Sequence, residues 1–599
     1  MQRTKREINL EDILIDKKQS EDLLEVQLSS RVFKFFLIIF CLICITMILY
    51  LIIIFSNYPT YQKIALQNIN QSYTVFAKRG KILDRFGVIL ASNQPVYRLN
   101  LLPDSLPKDP KLKLKIFQEL ARSLNLNISV VEQKFNQLKD SASKICLVDN
   151  LDKSIALDLR QKDLPGVQIE LGWNRKYSDS LVLSHVLGYL SLADQDELQK
   201  NPNLDINDLV GKTGLEKYYD SYLRGRNGRK LVFRDAQGKV LGQKIVKAPV
   251  SGRDLPTFID LELQKYFYST LKQRLAELNL TRAVGIAVDP NSGEILALVS
   301  LPSFDLNQVS KFLKQKNQPL FNRAVSGLYS PGSTIKPLIA IAGLNEKIIS
   351  SEESIYCSGK LVLENPYGGL PTIFRDWKAH QETNLYSALA KSCNVYFYRL
   401  GGGYRDFKGL GAKKLIEYFK KFNLDKPTQI DIPGEVNGNL PEVNSKWTLG
   451  NTYNISIGQG EISITPLELI SYISAIANRG KILKLRISKA QNFEILSQLN
   501  INSFIFKEIE RGMVESVSKP YGTARMLQDL PFKVAAKTGS VEVRKKQQTN
   551  AIFVGYAPVD NPQIVILILI ENSKEGSLNT LPVAKKLFNW YYQHRLKKD

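Results

Sequence analysis

The sequence predicts an α+β protein. It has a single N-terminal transmembrane helix, a mixed α/β stalk, and a larger domain whose central antiparallel sheet is flanked by helices. Three observations carry this expectation. A charge-free apolar run lies near the N-terminus, "FFLIIFCLICITMILYLIIIF" from Phe35 to Phe55. The chain has 599 residues, too many for one hydrophobic core. In its second half, apolar strand pairs stand at both ends with helical spacing between them, the pattern of an antiparallel sheet with packed helices.

The apolar run comes first. About 20 apolar residues span the roughly 30 Å hydrocarbon core of a bilayer. The run is too long and too far from the N-terminus for a cleaved signal, and no small-residue cleavage site follows it, so it reads as a retained anchor. Arg31 and Lys34 abut it, with Arg3, Lys5, Arg6, Lys17 and Lys18 upstream, whereas Ser56 to Tyr73 carries only Lys63. The positive-inside rule then leaves residues 1–34 as a cytoplasmic tail, makes 35–55 the transmembrane helix, and exports the rest. The expected location is the inner (cytoplasmic) membrane, single-pass, with the later domains in the periplasm.

The net charge is +23, spread along the chain in stretches such as "KKLIEYFKKF" and "VRKKQQ". Such a spread is a lysine-rich habit first, and an attraction to anionic membrane or wall polymer second. An exported chain without zinc-finger or RNP patterns argues against nucleic acid. Of five cysteines, Cys41 and Cys44 lie in the anchor, so only Cys146, Cys357 and Cys393 are exported. That odd, sparse set is no disulfide scaffold.

From residue 56 to about 250, short strand-like runs alternate with helical ones. "AKRGKILDRFGVILASNQPVYRLNLLP" turns and alternates like a small β-unit, while "KLKLKIFQELARSLN" and "LVGKTGLEKYYDSYLRG" have helical spacing. "VKAPVSGRDLPTFIDLELQKYF" carries Pro and Gly before a new helix, which places a boundary near 250. Beyond it, "AVGIAVDPNSGEILALVS" and "NAIFVGYAPVDNPQIVILILIEN" are hairpins, and "LPVAKKLFNWYYQHRLKK" is a closing amphipathic helix.

The chemistry centres on "SGLYSPGSTIKPLIAIAGL". Pro331-Gly332 delivers Ser333 to the start of an apolar helix, with Lys336 one turn later on the same face. Unpaired N–H groups at that helix start can stabilise negative charge beside the serine. An apolar setting lowers the lysine pKa from about 10.4, so the amine can serve as a base. Pro337 is awkward because it disfavours helix at Lys336. The S-x-x-K pattern alone is weak, since it recurs at Ser105–Lys108, Ser141–Lys144 and Ser269–Lys272. On that motif alone, a capped helix with a surface lysine is the better reading.

Two further motifs reverse the balance. "ALAKSCNVYFYRLG" supplies Ser392 and Asn394 around Cys393, and "FKVAAKTGSVEV" supplies Lys537, Thr538, Gly539 and Ser540 on a strand-like run. A second hydroxyl can relay a proton, an amide can hold a substrate amide, and a lysine with hydroxyls can grip a carboxylate. Glycine lets a substrate strand lie close. A second K-T-G, Lys212 to Gly214, precedes the serine with no flanking strand pattern. It is no phosphate loop, because the position needing glycine is Ile206. It is read as structural.

S-x-x-K, S-x-N and K-T-G together, in this order, resemble the class B penicillin-binding proteins. So do "HVLGYL", "GKTGLEKYYDSYLRG", "VDPNSGEILALVSLPSFDLN", "FNRAVSGLYSPGSTIKP", "SIGQGEISITPLEL" and "FVGYAP", over roughly residues 60 to 595. "SCNVYFYRLG" and "FNLDKPTQIDIPGE" are more similar to the elongation type than to the division type. One small departure is Ser540, where many relatives carry threonine. The resemblance implies a non-catalytic, dimerisation-type stalk at 56–250 and a penicillin-binding transpeptidase domain at 251–599.

It also implies a peptidoglycan D,D-transpeptidase, active in cell elongation and shape maintenance through an acyl-enzyme on Ser333. Lys336 is then the base, Ser392 the relay, and Asn394 and Lys537 complete the catalytic set, with Thr538, Gly539 and Ser540 binding substrate. The backbone N–H groups of Ser333 and Ser540 would form the oxyanion hole. Implied partners are peptidoglycan stem peptides, the lipid-linked precursor, the membrane, β-lactams as inhibitors, and a SEDS-type glycosyltransferase, since no polymerising domain fits in the stalk. The alternatives are a division-type transpeptidase, a β-lactam sensor or hydrolase, which would not need the long stalk, and a catalytically silent scaffold, against which the intact motifs argue.

No cofactor is needed for this chemistry. Cys357, Asp376, His380 and Cys393 nevertheless make a conceivable tetrahedral zinc set. The resemblance allows a structural zinc here, because some elongation-type relatives carry one. The irregular spacing leaves three readings open: zinc, a Cys357–Cys393 disulfide, or unconnected residues. His185 in "LSHVLGYL" is expected as a packed stalk residue. Glu216 in "GLEKYY" is expected to help dock the stalk on the catalytic domain.

Overall fold

The computed structural model describes residues 30–58, 70–138, 144–201, 204, 208–234, 240–365, 368–543, 548–573 and 576–597. Most of the cytoplasmic-tail expectation, residues 1–29, lies outside the described residues, as do Lys63, Ser141 and residues 544–547 of "VRKKQQ". The chain packs as two compact units, Met1–Tyr73 with Lys230–Ile245 and Thr74–Arg229 with Val246–Asp599.

The first unit holds helix α1, Ser30–Ser56, with a mean hydropathy of 3.3 and no buried residue. Its 27 residues give a length of about 40 Å at about 1.5 Å per residue, enough to cross a membrane once. The helix is longer than the expected 35–55 span because Ser30 to Lys34 continue it.

The second unit begins with an antiparallel sheet. Strand β1, Ile89–Leu101, runs between β2, Ile145–Leu151, and β3, Val167–Tyr177. The helices Pro110–Leu124 and Ile128–Leu138 pack Phe117, Leu120 and Phe135 onto it. "GKTGLEKYY" follows. A three-residue strand, Leu209–Gly211, does precede its K-T-G, which the sequence did not suggest, but the glycine has a packing role. Gly214 has φ of +59°, and a Cβ there would lie 2.5 Å from Gly188 N. The second K-T-G is thus a tight contact between two turns.

Glu216 does not dock one domain on the other. Its carboxylate is fully buried and accepts from Arg79 Nε at 2.6 Å and Arg175 Nε at 2.7 Å, both within residues 74–229. The docking bond comes from its neighbour. Tyr219 Oη donates to Asp431 Oδ2 at 2.7 Å, and Asp431 also accepts from the N–H groups of Ile487 and Ser488. His185 is buried as expected, but its ring lies edge-on to Phe304 at 5.2 Å and faces Pro302 O. It therefore packs against the catalytic part, and burial lowers its pKa to about 4.

The catalytic part is built on five antiparallel strands: β4 Ala283–Val288, β5 Ile295–Leu301, β6 Ala535–Val543, β7 Gln548–Ala557 and β8 Ile564–Ser573. Their order is β5-β4-β8-β7-β6. Both faces are covered, which is why these strands read as continuous apolar runs rather than alternating ones. On one face lie α2, Leu261–Glu277, and the C-terminal helix Leu581–Tyr591. On the other lies the helical core. There α3 is Lys336–Asn345, α4 is Leu385–Lys391, α5 is Asn394–Gly402, and α6, Pro466–Ala477, is buried at all its positions. A helix apolar all round belongs in a core. Among the described residues β6 pairs only with β7 and ends the sheet.

Glu216→Gln is expected to destabilise the protein by about 3–5 kcal/mol, because it leaves two buried guanidinium groups short of a counter-charge. Denaturant unfolding of the purified full-length chain measures this, and a loss under 1 kcal/mol would contradict it.

Candidate active site

Ser333 does not cap α3 directly. Gly332–Ile335 forms a single 3-10 turn, and α3 begins at Lys336. This resolves the awkward proline, since Pro337 falls in the first helical turn, where its missing N–H is not needed. Three contacts fix the turn. Gly332 N–H donates to Gly458 O at 2.9 Å, Thr334 Oγ1 donates to Pro331 O at 2.6 Å, and Tyr472 Oη on α6 donates to Thr334 O. Gly332 has φ of +55°, and a Cβ there would sit 2.5 Å from Val541 Cγ2 on β6. Glycine is thus demanded by both backbone and space.

Ser392 ends α4 in the left-handed conformation with φ of +57°. Cys393 then caps α5, its Sγ accepting from Tyr396 N at 3.3 Å. Sequence placed Ser392, Cys393 and Asn394 in a helical context, whereas they form the elbow between two helices. That elbow turns Ser392 toward both lysines. Its Oγ accepts from Lys537 Nζ at 2.8 Å and from Lys336 Nζ at 3.4 Å. Lys336 Nζ also donates to Ser392 O and to Asn394 Oδ1, each at 2.7 Å. Asn394 Nδ2 reaches Arg375 O at 3.4 Å.

The two amines are wholly buried. Burial pushes Lys336 down to about 8, against the upward pull of Asp376, Cys393 and Cys357. Burial also drives Lys537 well below its usual range, and the nearby Lys336 charge adds to this. Both lysines are thereby moved towards the neutral amine, the form that can accept a proton.

Ser333 is half-buried, and among the described residues its hydroxyl has no hydrogen-bond partner. Lys336 Nζ is engaged with Ser392 and Asn394 instead. Such catalytic bonds commonly tighten only around substrate. Lys537 Nζ is turned inward, donating also to Thr538 O at 2.9 Å. Thr538 Oγ1 donates to Thr523 Oγ1 at 2.9 Å, and Ser540 is exposed. A Cβ on Gly539 would lie 3.0 Å from Thr334 Cγ2, so glycine lets β6 press against the serine turn.

Cys357, Asp376 and Cys393 offer ligand atoms within 4.8 Å of one another. Both thiols are free, so the disulfide reading is not what the structure contains. His380 falls outside that tight group, but its Nε2 lies 3.5 Å from Asp376 Oδ1 and is buried with no hydrogen-bond partner. Burial alone would raise the Asp376 carboxyl. The nearby His380 imidazole, the Lys336 charge and the Val395 N–H outweigh it and hold the group at about 2. The bond from Cys393 helps bring the Cys357 thiol to about 7, while burial pushes Cys393 up.

Sequence reasoning missed Thr523, Gly458 and Tyr472, which hold the motif residues in place. Gly458 lies in the quoted "SIGQGEISITPLEL", and Thr523 in the polar turn "KPYGTA", which carried no pattern of its own. Tyr472 sits in an apolar helix and gave no signal.

Comparison with known proteins agrees with this geometry. The penicillin binding protein transpeptidase domain model matches residues 283–590, and the penicillin-binding protein dimerisation domain model matches residues 74–257. The chain is 29% identical to peptidoglycan D,D-transpeptidase MrdA of Haemophilus influenzae, covering 90% of this chain and 88% of that one. It is also 29% identical to the MrdA of Acinetobacter baumannii, covering 97% and 91%. Among solved structures, a complex between penicillin-binding protein PBP2 and MreC from Helicobacter pylori matches with a TM-score of 0.75 and 25% identity, covering 88% of this chain and 100% of that one. With its three motifs gathered around one hydroxyl and a family model matched across more than half its length, the chain belongs to the penicillin-binding protein transpeptidase family.

Proposed function

We propose that this protein is a peptidoglycan D,D-transpeptidase that cross-links stem peptides through a serine acyl-enzyme during cell elongation. The observation that carries the reading is the Ser392 hydroxyl receiving hydrogen bonds from both Lys336 and Lys537, which gathers the three motifs into one constellation. Residues 56–250 serve as the stalk and 251–599 as the transpeptidase domain.

The chemistry follows from the groups present. Ser333 Oγ attacks the carbonyl carbon between the last two D-alanines of a donor stem. The neutral Lys336 amine takes the hydroxyl proton. Ser392, held by Lys537, passes its proton to the departing D-alanine nitrogen and is reprotonated by Lys336 as the C–N bond breaks and the ester forms. An amine from a neighbouring stem then attacks the ester, loses its proton to the same relay, and frees Ser333. Asn394 orients the donor amide, while Thr538 and Ser540 hold its terminal carboxylate. Gly539 admits the donor as a strand along the outer edge of β6. Backbone N–H groups of Ser333 and Ser540 stabilise the oxyanion, an effect of about 2.7–4 kcal/mol per donor in comparable sites. β-Lactams imitate the dipeptide and stall as an ester on Ser333.

Helix α1 anchors the chain in the inner membrane, with the N-terminus cytoplasmic and the enzyme in the periplasm, facing lipid-linked precursor. A SEDS-type glycosyltransferase supplies the glycan polymerisation that no part of this chain accounts for. A partner like the MreC in the Helicobacter pylori complex fits the same assembly. Cys357, Asp376, His380 and Cys393 would hold a structural zinc ion: two thiols, a carboxylate and an imidazole whose buried nitrogen has no other partner. The metal would tie the segment around Asp376 to the Ser392–Asn394 elbow and take no part in the chemistry.

Fluorescent penicillin is expected to label the wild type and to fall to background in Ser333→Ala, with the adduct on Ser333 by mass spectrometry. Persistent labelling of the variant would sink the assignment. The second-order rate of acylation should rise with pH to a plateau, half-maximal near pH 8, because below that pH Lys336 is protonated and cannot accept a proton. At pH 6.5 the rate should be about 30-fold below the plateau, and a flat profile from pH 6 to 9 would remove Lys336 as the base. Metal analysis of the purified chain should find about one zinc per chain, lost in Cys357→Ser. Metal-free wild type would end the zinc proposal.

A further inference from the structure

A cavity of about 60 Å³ in the stalk is walled by four arginines: Arg79, Arg98, Arg175 and Arg224. Two of them are held by ion pairs. Arg79 binds Glu216 and Asp220, and Arg98 binds Asp149 at 2.6 Å. The other two have donors to spare. Arg175 spends Nε on Glu216 and Nη1 on Gly80 O, but its Nη2 is buried without a hydrogen-bond partner among the described residues. The Arg175 side chain is only 3% exposed. Arg224 lies 3.6 Å from Asp220 through Nε, and its buried Nη1 likewise has no partner.

Buried donors are rarely left unpaired, because each costs about 1–3 kcal/mol, and more when charged. The two residues that carry such donors line the same small space. The remaining wall is largely apolar, with Phe76, Trp173, Leu190 and Leu209. Apolar walls lower the local dielectric and strengthen any charge-assisted bond inside. Among the described residues the wall carries one carboxylate, Asp208, which already accepts from Asn227 Nδ2 at 2.7 Å.

We propose that this cavity is a binding site for a compact oxyanion, a carboxylate or a phosphate group, held between Arg175 Nη2 and Arg224 Nη1. The volume admits one such group and excludes a nucleotide or a sugar. The site is separate from the serine and its lysines. It adjoins the Glu216 ion pairs, and the segment that carries Glu216 reaches the catalytic part through Tyr219 and Asp431.

Thermal unfolding of the full-length detergent-solubilised protein tests this, titrating inorganic phosphate in one arm and acetate in the other, with chloride holding ionic strength constant. A saturable rise in unfolding temperature with phosphate alone assigns a phosphoryl site, with acetate alone a carboxylate site, and with both a general oxyanion site. Arg224→Gln should weaken the apparent affinity at least tenfold, while Arg122→Gln, whose side chain is 82% exposed, should leave it unchanged. Penicillin labelling reports that each variant is folded, and Arg175→Lys replaces Arg224→Gln if the latter is not. No saturable rise with either anion in the wild type, or equal affinity in the folded arginine variant, would overturn the proposal and leave the cavity to water.

Discussion

Two lysine amines share one serine hydroxyl in a space closed to water, and the architecture around the site serves that arrangement. Two ammonium groups so close and so deeply buried would repel each other and lack hydration. The site tolerates them because burial moves both towards the neutral form. Ser392 Oγ, Ser392 O, Asn394 Oδ1 and Thr538 O accept their hydrogen bonds. The α4–α5 elbow exists to present Ser392 to both amines at once. The covered faces of the sheet keep the surroundings apolar, and the glycines on either side of the serine turn bring β6 within contact distance. Loosening any of these lets water in and returns the amines to inert ammonium.

The stalk uses charge in the opposite way. Glu216 is fully buried and pairs with two arginines, whereas burial moves Lys336 and Lys537 towards the neutral amine. One end of the molecule stores structure in ion pairs, and the other removes charge to create reactivity. The joint between them is broad: Tyr219 on Asp431, Gln264 on Val182 O, Lys265 on Asp179, and an apolar seam of Leu183, Val186 and Leu187.

Much of this was legible in the sequence, for identifiable reasons. The apolar anchor, the continuous strands of the sheet and the three motifs announce themselves because burial and reactivity demand particular residue types. What stayed hidden was geometry set by tertiary contacts. The 3-10 turn at Ser333 depends on Gly458 and Tyr472, distant in sequence, and no local pattern encodes it. The helical reading of Ser392 to Asn394 missed the left-handed break, since serine gives none of the warning that glycine would. Glu216 was recognised as structural but assigned the wrong joint, because a buried carboxylate and a surface one look alike in a string of letters. Cys357 and Cys393 could be placed near each other by resemblance, but their free thiol state needed the fold.

Strand β6 ends the sheet, and among the described residues one side of it is without a partner strand. An unpaired strand edge is a template for another extended chain and a start for aggregation. Ser540 and Glu542 point outward along that border, so a hydroxyl and a negative charge meet an approaching neighbour before its backbone does. A hydroxyl and a carboxylate at the margin of the sheet thus guard the solubility of the whole chain.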